Sequence, residues 1–293
     1  MIRLGTRRSA LATAQATMVA EALRGHGHEV ELVLITTTGD VNRAPLEQIG
    51  GTGVFVSALR DALVANEIDI AVHSLKDLPT APLEALTVAG IPPREDPRDV
   101  LVARDGMTLG ELPTGAVIGT GAPRRQAQLE ALGLGLELTG IRGNVDSRIA
   151  MVADGKVDAV VLARAGLARL GRLDEVTETI DPIQVLPAPG QGALAIECRA
   201  DDEAVITAVA VLDDPATRAA VQAERQLLAT LEAGCTAPVG ALAEVVEGDD
   251  GPELWLRAAL GGDNGVRRLS AYGPVDDPAG LGRSLANELL ERL

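Results

Sequence analysis

The sequence predicts an α/β protein: two α/β domains followed by a smaller C-terminal α+β domain with a three-stranded antiparallel sheet. Three observations predict it. Strand-like and helix-like segments alternate from the first residues to about residue 171, the pattern of strands joined by crossover helices. Two proline-bearing linkers, at 92–97 and 182–190, bracket the second run of alternation. Beyond residue 215 the order changes to one long helix, three consecutive strand-like runs and a closing helix. At 293 residues, the chain is longer than a single hydrophobic core usually serves. The predicted division is 1–92 plus about 191–211 for the first domain, 97–186 for the second, and 215–293 for the third.

Each element has a local reason. Residues 2–5 read as a short strand. Leu11, Ala14, Met18, Val19, Ala22 and Leu23 then recur at helical spacing behind Ser9, a good capping residue, and Gly25 and Gly27 end the run. Residues 29–36 are β-rich. The stretch 37–53 reads as a loop, and its length marks it as functional or as a lid. A helix is predicted at 54–66, then strands at 68–72 and 86–91. In the second domain, strands near 100–103, 117–119, 135–138 and 158–163 alternate with helices near 123–132, 144–154 and 164–171. The strand 193–198 follows the second linker and is placed back in the first domain. A helix over 215–232, a loop at 234–238, strands near 239–247, 253–260 and 266–272, and a helix at 279–292 complete the chain.

Composition narrows the function. Hydrophobic residues make up 46% of the chain, enough for substantial cores, but only Phe55, Trp255 and Tyr272 are aromatic. The formal charge of -16 argues against nucleic acid or anionic membranes as partners. Of 26 basic residues only Lys76 and Lys156 are lysine; a high-salt cytoplasm and a base-composition bias both fit that. The opening residues lack the pattern of a cleaved leader, and no apolar run approaches the roughly 18 residues of a membrane span, so a cytoplasmic monomer is expected. Cys198 and Cys235 are too few and too plainly spaced for a metal site, and none is expected.

Anion binding is the clearest chemical signal. Thr120 ends one strand, and Pro123, at a first helical position, brings Arg124 and Arg125 to a helix start. The next junction supplies Arg142, with Arg148 one turn further. Both junctions lie at carboxyl ends of strands, where open α/β sheets bind ligands. Cations at helix N-termini oppose the macrodipole and call for an anionic partner. Salt bridges to some of the 42 acidic residues are the competing explanation. Arg7, Ser9 and Gln15 occupy the first such junction, where simple capping also accounts for Ser9. His73-Ser74-Leu75-Lys76-Asp77 follows a buried strand; adjacency rules out a hydrolase triad, whose members converge from distant segments. Gly50-Gly51-Thr52-Gly53 lacks the lysine of a phosphate loop. Cys198 reads as a core thiol, whereas Cys235, in a glycine-containing loop, is freer to react.

Taken in order, several of these segments resemble porphobilinogen deaminases, also called hydroxymethylbilane synthases. The resemblance rests on Arg3-Leu4-Gly5-Thr6-Arg7-Arg8-Ser9, Thr38-Gly39-Asp40, Gly50-Gly51-Thr52-Gly53-Val54-Phe55 and His73-Ser74-Leu75-Lys76-Asp77-Leu78-Pro79. It continues through Gly119-Thr120 with Arg124-Arg125-Gln126, Arg142-Gly143-Asn144-Val145, Pro189-Gly190-Gln191-Gly192-Ala193 and Gly234-Cys235. It implies three domains, the first two resembling periplasmic binding proteins and joined by hinges. It implies a dipyrromethane cofactor linked by a thioether to Cys235, and porphobilinogen as substrate. Arg7, Arg124, Arg125, Arg142, Arg148 and Arg169 are then expected to hold acetate and propionate groups, with Ser9, Gln15, Lys76, Thr120 and Gln191 assisting and Phe55 near the substrate ring. Asp77 is expected to stabilise positive charge on pyrrole nitrogens and to move protons. Four substrate units lose ammonia in turn and join head to tail before water releases hydroxymethylbilane. Two departures stand out: Ala122 lacks a hydroxyl common in the family, leaving a backbone N–H to replace it, and Thr52 replaces a frequent lysine. A two-lobed anion-binding protein without catalysis shares the fold and the arginines, but has no need of Cys235 or a third domain. A nucleotide-dependent transferase is disfavoured by the missing phosphate loop.

Overall fold

The computed structural model describes residues 1–35, 53–232, 237–249 and 251–291, with the side chains of 53–55 left aside. The predicted loop 37–53 lies outside the described residues except for Gly53, and the Cys235 loop lies outside them as well. The chain forms two compact units, one of residues 1–95 and 193–218, the other of 96–192 and 219–293.

The first unit is built on β1 (Ile2–Thr6), α1 (Ala10–Gly25), β2 (Val30–Leu34), α2 (Gly53–Val64), β3 (Ile70–Ser74), a 3-10 turn at Leu75–Asp77, and β4 (Leu86–Gly90). To these it adds β10 (Leu194–Arg199) and α6 (Glu203–Ala210). The sheet order is β2-β1-β3-β10-β4. β1 pairs in parallel with β2 and β3, while β10 runs antiparallel to both β3 and β4. On one face Ile2, Leu4, Ile70 and Ile196 pack with Ala16, Val19, Ala20 and Leu23 of α1. On the other, Ala71 packs with Leu59, Ala62 and Leu63 of α2. The sequence reading assigned no helix to 203–210; Asp202 caps one there, accepting from the Val205 N–H.

The second unit holds β5 (Asp99–Ala103), β6 (Val117–Gly119), α3 (Pro123–Ala131), β7 (Glu137–Thr139), α4 (Val145–Ala153), β8 (Ala159–Ala163), α5 (Arg164–Arg169) and β9 (Glu178–Thr179). Their sheet order is β7-β6-β8-β5-β9, with β5 antiparallel to β8. This sheet too is apolar on both faces, one packing Leu101, Ile118 and Val161 and the other Val100, Val160 and Leu162. The same unit contains β11 (Val239–Gly248), β12 (Gly251–Gly262) and β13 (Gly265–Pro274), a fully antiparallel meander. One face of the meander carries Leu254, Leu256 and Ala258 against Leu227 of α7 (Pro215–Thr230) and Leu285 and Leu289 of α8 (Pro278–Glu291). α7 and α8 touch at Gly282, where a β-carbon would lie 2.4 Å from the Ala223 carbonyl oxygen. The architecture is the predicted α/β one with its three-stranded antiparallel sheet. Each five-stranded sheet also contains an antiparallel strand, which the sequence did not indicate.

Arginine–carboxylate pairs tie sequence-distant strands together in the first unit. Asp69 accepts from the Arg3 N–H at 2.8 Å, from Arg3 Nη2 at 2.6 Å and from Arg199 Nη2 at 3.3 Å. Burial pushes the Asp69 pKa up, but the hydrogen bonds from Arg3 outweigh it and hold the value at about 2. A folded-state pKa below the unfolded value of about 3.9 gives stability that is present above pH 4 and is lost as pH falls toward 2. Asp69→Asn is therefore expected to cost about 2 kcal/mol at pH 7, and the gap to the unaltered chain should close near pH 2, as measured by urea unfolding at both pH values.

Candidate functional site

Each unit carries its own constellation of candidate residues. In the first, α1 starts directly after β1, and Ser9 caps it by accepting from the Ala12 N–H at 3.3 Å. One turn further on, buried Gln15 donates from Nε2 to Ser74 Oγ at 3.1 Å. Ser74 ends β3, and the tight turn that follows leaves Lys76 and Asp77 half-buried while Leu75 anchors it in the core. The Leu75 N–H donates to the Ala193 carbonyl, so β10 fixes the level of the turn. Arg7, Ser9, Gln15, His73, Ser74 and Asp77 all line one small cavity of about 100 Å³, closed below by Val56, Leu59 and Val72.

Beneath this cavity lies a buried ionic group that the sequence reading did not single out. Glu197 of β10 accepts from Arg60 Nη2 at 2.8 Å and faces His73 Nε2 at 3.1 Å. Burial alone would raise its pKa; the bonds to His73 and Arg60 more than offset that and lower it. The signal available was a glutamate inside the otherwise apolar run Ala-Leu-Ala-Ile-Glu-Cys. The adjacent Cys198 is buried, and desolvation pushes its thiol up to about 11, an unreactive core residue as read from sequence.

In the second unit the candidate arginines divide into two kinds. Arg124 and Arg125, at the start of α3, are both buried, and both bind Asp99 at the head of β5. Arg124 reaches the two carboxylate oxygens at 2.7 and 3.2 Å, and Arg125 at 3.1 and 2.7 Å. Other donors go to the carbonyls of Leu186 and Val161. Much of the hydrogen-bonding capacity of these two arginines is taken by an internal carboxylate, the salt bridging that the sequence offered beside ligand binding. Asp99 is fully buried, which disfavours its charge, yet the attraction of Arg124 and Arg125 holds its pKa far below the usual carboxylate range. Two guanidiniums on one carboxylate leave a net positive charge.

Arg142 and Arg148 are of the other kind. The β7–α4 junction turns at Gly143, φ 115°, and Asn144 caps α4 by accepting from the Ser147 N–H at 2.9 Å. Arg148 folds back so that Nε donates to the Gly143 carbonyl at 2.8 Å. Among the described residues, neither Arg142 nor Arg148 has a carboxylate partner. Burial, and the nearby charge of Arg125, push the Arg148 pKa down. No carboxylate among the described residues neutralises this cation. Thr120 is fully buried, and its hydroxyl accepts from the Ala122 N–H at 3.3 Å, so the N–H expected to replace a missing hydroxyl is already engaged. Arg169 donates from Nη2 to the Gly192 carbonyl at 2.5 Å, and Gln191 is buried against Asp99. Cys235, Thr52 and the side chain of Phe55 lie outside the described residues.

A larger groove of about 1100 Å³ runs along the meander past Trp255, Arg257 and Arg268. It contains none of the candidate residues. Its three arginines, Arg98, Arg257 and Arg268, are balanced by Asp96, Asp181 and Glu244, so it offers no net charge to an anion. Trp255 stacks on Tyr272 at 6.0 Å, with Arg257 over the indole at 4.1 Å, so these two rings are occupied with each other.

Comparison with known proteins places this geometry. Residues 2–207 match the family model described as "Porphobilinogen deaminase, dipyromethane cofactor binding domain", and residues 218–291 match "Porphobilinogen deaminase, C-terminal domain". A porphobilinogen deaminase from Nocardia farcinica is 61% identical over 99% of this chain and 86% of its own length. Those of Mycobacteroides abscessus and Mycobacterium tuberculosis are each 59% identical over 99% of this chain, and over 97% and 96% of theirs. Likeness to solved structures is partial: the methionine-binding protein MetQ covers 76% of this chain and 91% of its own at 13% identity, with a TM-score of 0.44. With both family models and relatives covering nearly its full length, the chain belongs to the porphobilinogen deaminase family.

Proposed function

We propose that this chain condenses four porphobilinogen molecules, head to tail and with release of ammonia, into hydroxymethylbilane. It does so on a dipyrromethane cofactor held by a thioether to Cys235. The observation that carries the reading is the positive charge of Arg148, without a carboxylate partner among the described residues, beside the Arg124–Arg125–Asp99 cluster. A dipyrromethane built from two porphobilinogen units bears several carboxylates, so the residues present fit it. When bound, it supplies the free pyrrole carbon to which each substrate unit is added.

The roles of the chain's own residues follow from their positions. Arg142 and Arg148 bind carboxylates through their guanidinium forks, a geometry lysine does not offer. Remaining donors of Arg124 and Arg125 extend the same array, with Thr120 fixing the turn in front of them. In the first unit, Arg7 and Lys76 supply positive charge, while Ser9 and Gln15 supply polar contacts. Asp77 sits on a turn anchored by Leu75, which fixes the backbone that carries its carboxylate. There it accepts hydrogen bonds from pyrrole N–H groups and stabilises positive charge as it develops; it also accepts and returns protons. Arg169 and Gln191 shape the arginine array through the backbone and Asp99. Residues 215–293 act as the third domain, presenting Cys235. A net charge of -16 favours a monomer in the cytoplasm by keeping copies apart.

Three outcomes test this. The intact mass under denaturing conditions should exceed the bare chain by two linked pyrrole units, and Cys235→Ser should abolish the excess. A wild-type chain that gains no mass even after incubation with porphobilinogen would sink the assignment. Asp77→Ala should keep the fold and the bound cofactor but lose turnover by about 100-fold or more; near-normal turnover removes the role given to Asp77. Arg148→Leu should leave the melting temperature within a few degrees, because it breaks no ion pair among the described residues, while slowing cofactor assembly by about 10-fold or more, read by the same mass measurement.

A further inference from the structure

The segment Pro189-Gly190-Gln191-Gly192 lies where the chemistry of the second unit converges. Gln191 is fully buried and its amide is fully used. Oε1 accepts from Arg124 Nη2 at 3.1 Å, while Nε2 donates to Asp99 Oδ1 and to the Pro97 carbonyl, each at 2.7 Å. A primary amide is the neutral side chain that can accept from a guanidinium and donate to a carboxylate at once. A glutamate here would set a second carboxylate against Asp99, and an apolar residue would leave buried groups short of partners.

The backbone on either side is clamped. Gly190 and Gly192 both have positive φ, 75° and 89°, and so turn the chain sharply about Gln191. The Gly190 N–H donates to Glu224 Oε2 at 2.6 Å. The other oxygen of Glu224 takes the Ala243 N–H of β11 at 2.8 Å. Glu224 is itself fully buried, on the face of α7 that faces the core, and it thereby joins the linker to the meander. α7 is also the helix that leads, in sequence, to Cys235.

We propose that Gln191 is a positioning residue for the arginines that hold the cofactor, and that Glu224 holds Gln191 in place. Gln191 fixes the plane of the Arg124 fork directly and through Asp99. Glu224 of α7 ties the turn that carries Gln191, and through it that fork, to β11 of the meander. The inference rests on the function proposed above.

The test compares the unaltered chain, Gln191→Met, Arg124→Lys and the double variant. All are produced in cells that make no porphobilinogen and then mixed with it, and cofactor loading is timed by intact mass. Gln191→Met keeps the volume but removes the amide. At a temperature where its circular dichroism matches that of the unaltered chain, it should load about 10-fold more slowly. The double variant should load no more than about twofold slower than Arg124→Lys alone, because both changes act through one fork. Gln191→Met loading at the unaltered rate with only a lowered melting temperature, or defects that multiply in the double variant, would overturn the proposal. If Gln191→Met does not fold, Glu224→Gln replaces it: it sets a donor against a backbone N–H and should slow loading in the same way, masked again by Arg124→Lys. Loading of Glu224→Gln at the unaltered rate overturns the proposal as well. If the unaltered chain never loads, the proposed function fails; if it loads and the variants match it, only this inference fails.

Discussion

A single buried carboxylate sets the geometry of the second unit's chemistry. Asp99 heads a strand whose every residue is buried, so bulk solvent does not reach its charge. An isolated ion in such a place is strongly unfavourable, so its ionised form exists only with partners in good geometry. It has five hydrogen bonds from three side chains: two from Arg124, two from Arg125 and one from Gln191. The dependence runs both ways. Burial presses the Arg124 pKa down, and Asp99 is the group that opposes this. None of the three side chains can be moved without leaving the others wrongly paired, and that rigidity is what a carboxylate-binding array requires.

The strongly acidic chain uses its arginines for two purposes. Arg3 and Arg199 bond Asp69, and Arg60 bonds Glu197, joining segments that the sequence keeps apart, while Arg218 bonds the nearby Asp213. Arg142 and Arg148 are not spent in this way. The negative surface discourages polyanions such as nucleic acid, while the local excess of arginine near Asp99 still favours a small ligand with several carboxylates. Net charge and site charge therefore have opposite signs without conflict, because the relevant field is local and screened beyond about 10 Å.

Most of the fold was legible because strand and helix periods are written in apolar residues. Leu11 to Leu23 and Val100 to Ala103 announce their elements directly. What was not legible was direction: an antiparallel strand and a parallel one buried on both faces have the same composition, so β5 and β10 gave no sign of running against their neighbours. The helix at 203–210 was missed because Val-Ile-Thr-Ala-Val-Ala is β-branched and reads equally as a strand; the Asp202 cap was the overlooked clue. The arginines at helix starts were legible for a physical reason, since cations there oppose the dipole and invite explanation. Their partner was not. Asp99, Glu197 and Glu224 are single acids within apolar runs, and only tertiary structure shows that each collects donors from distant segments.

That asymmetry explains why the sequence left two explanations of the arginines side by side. Four arginines at two junctions carry four positive charges, and pattern alone does not divide them between a ligand and internal acids. The structure divides them. Placing Arg124 and Arg125 at the N-terminus of α3 is unfavourable both for the macrodipole and for desolvation, and Asp99 offsets that cost within the protein. Arg148 keeps its cost: it is pressed down by burial and by Arg125, and among the described residues the Gly143 carbonyl alone accepts from it. A carboxylate arriving there relieves an existing repulsion as well as forming new bonds, so its binding is favoured by the difference between the two states rather than by contact alone. Discrimination then falls to the fixed frame. Under the proposed function, the internally paired arginines and Gln191 set where carboxylates sit, and Arg148, with no carboxylate partner among the described residues, sets how strongly they are drawn.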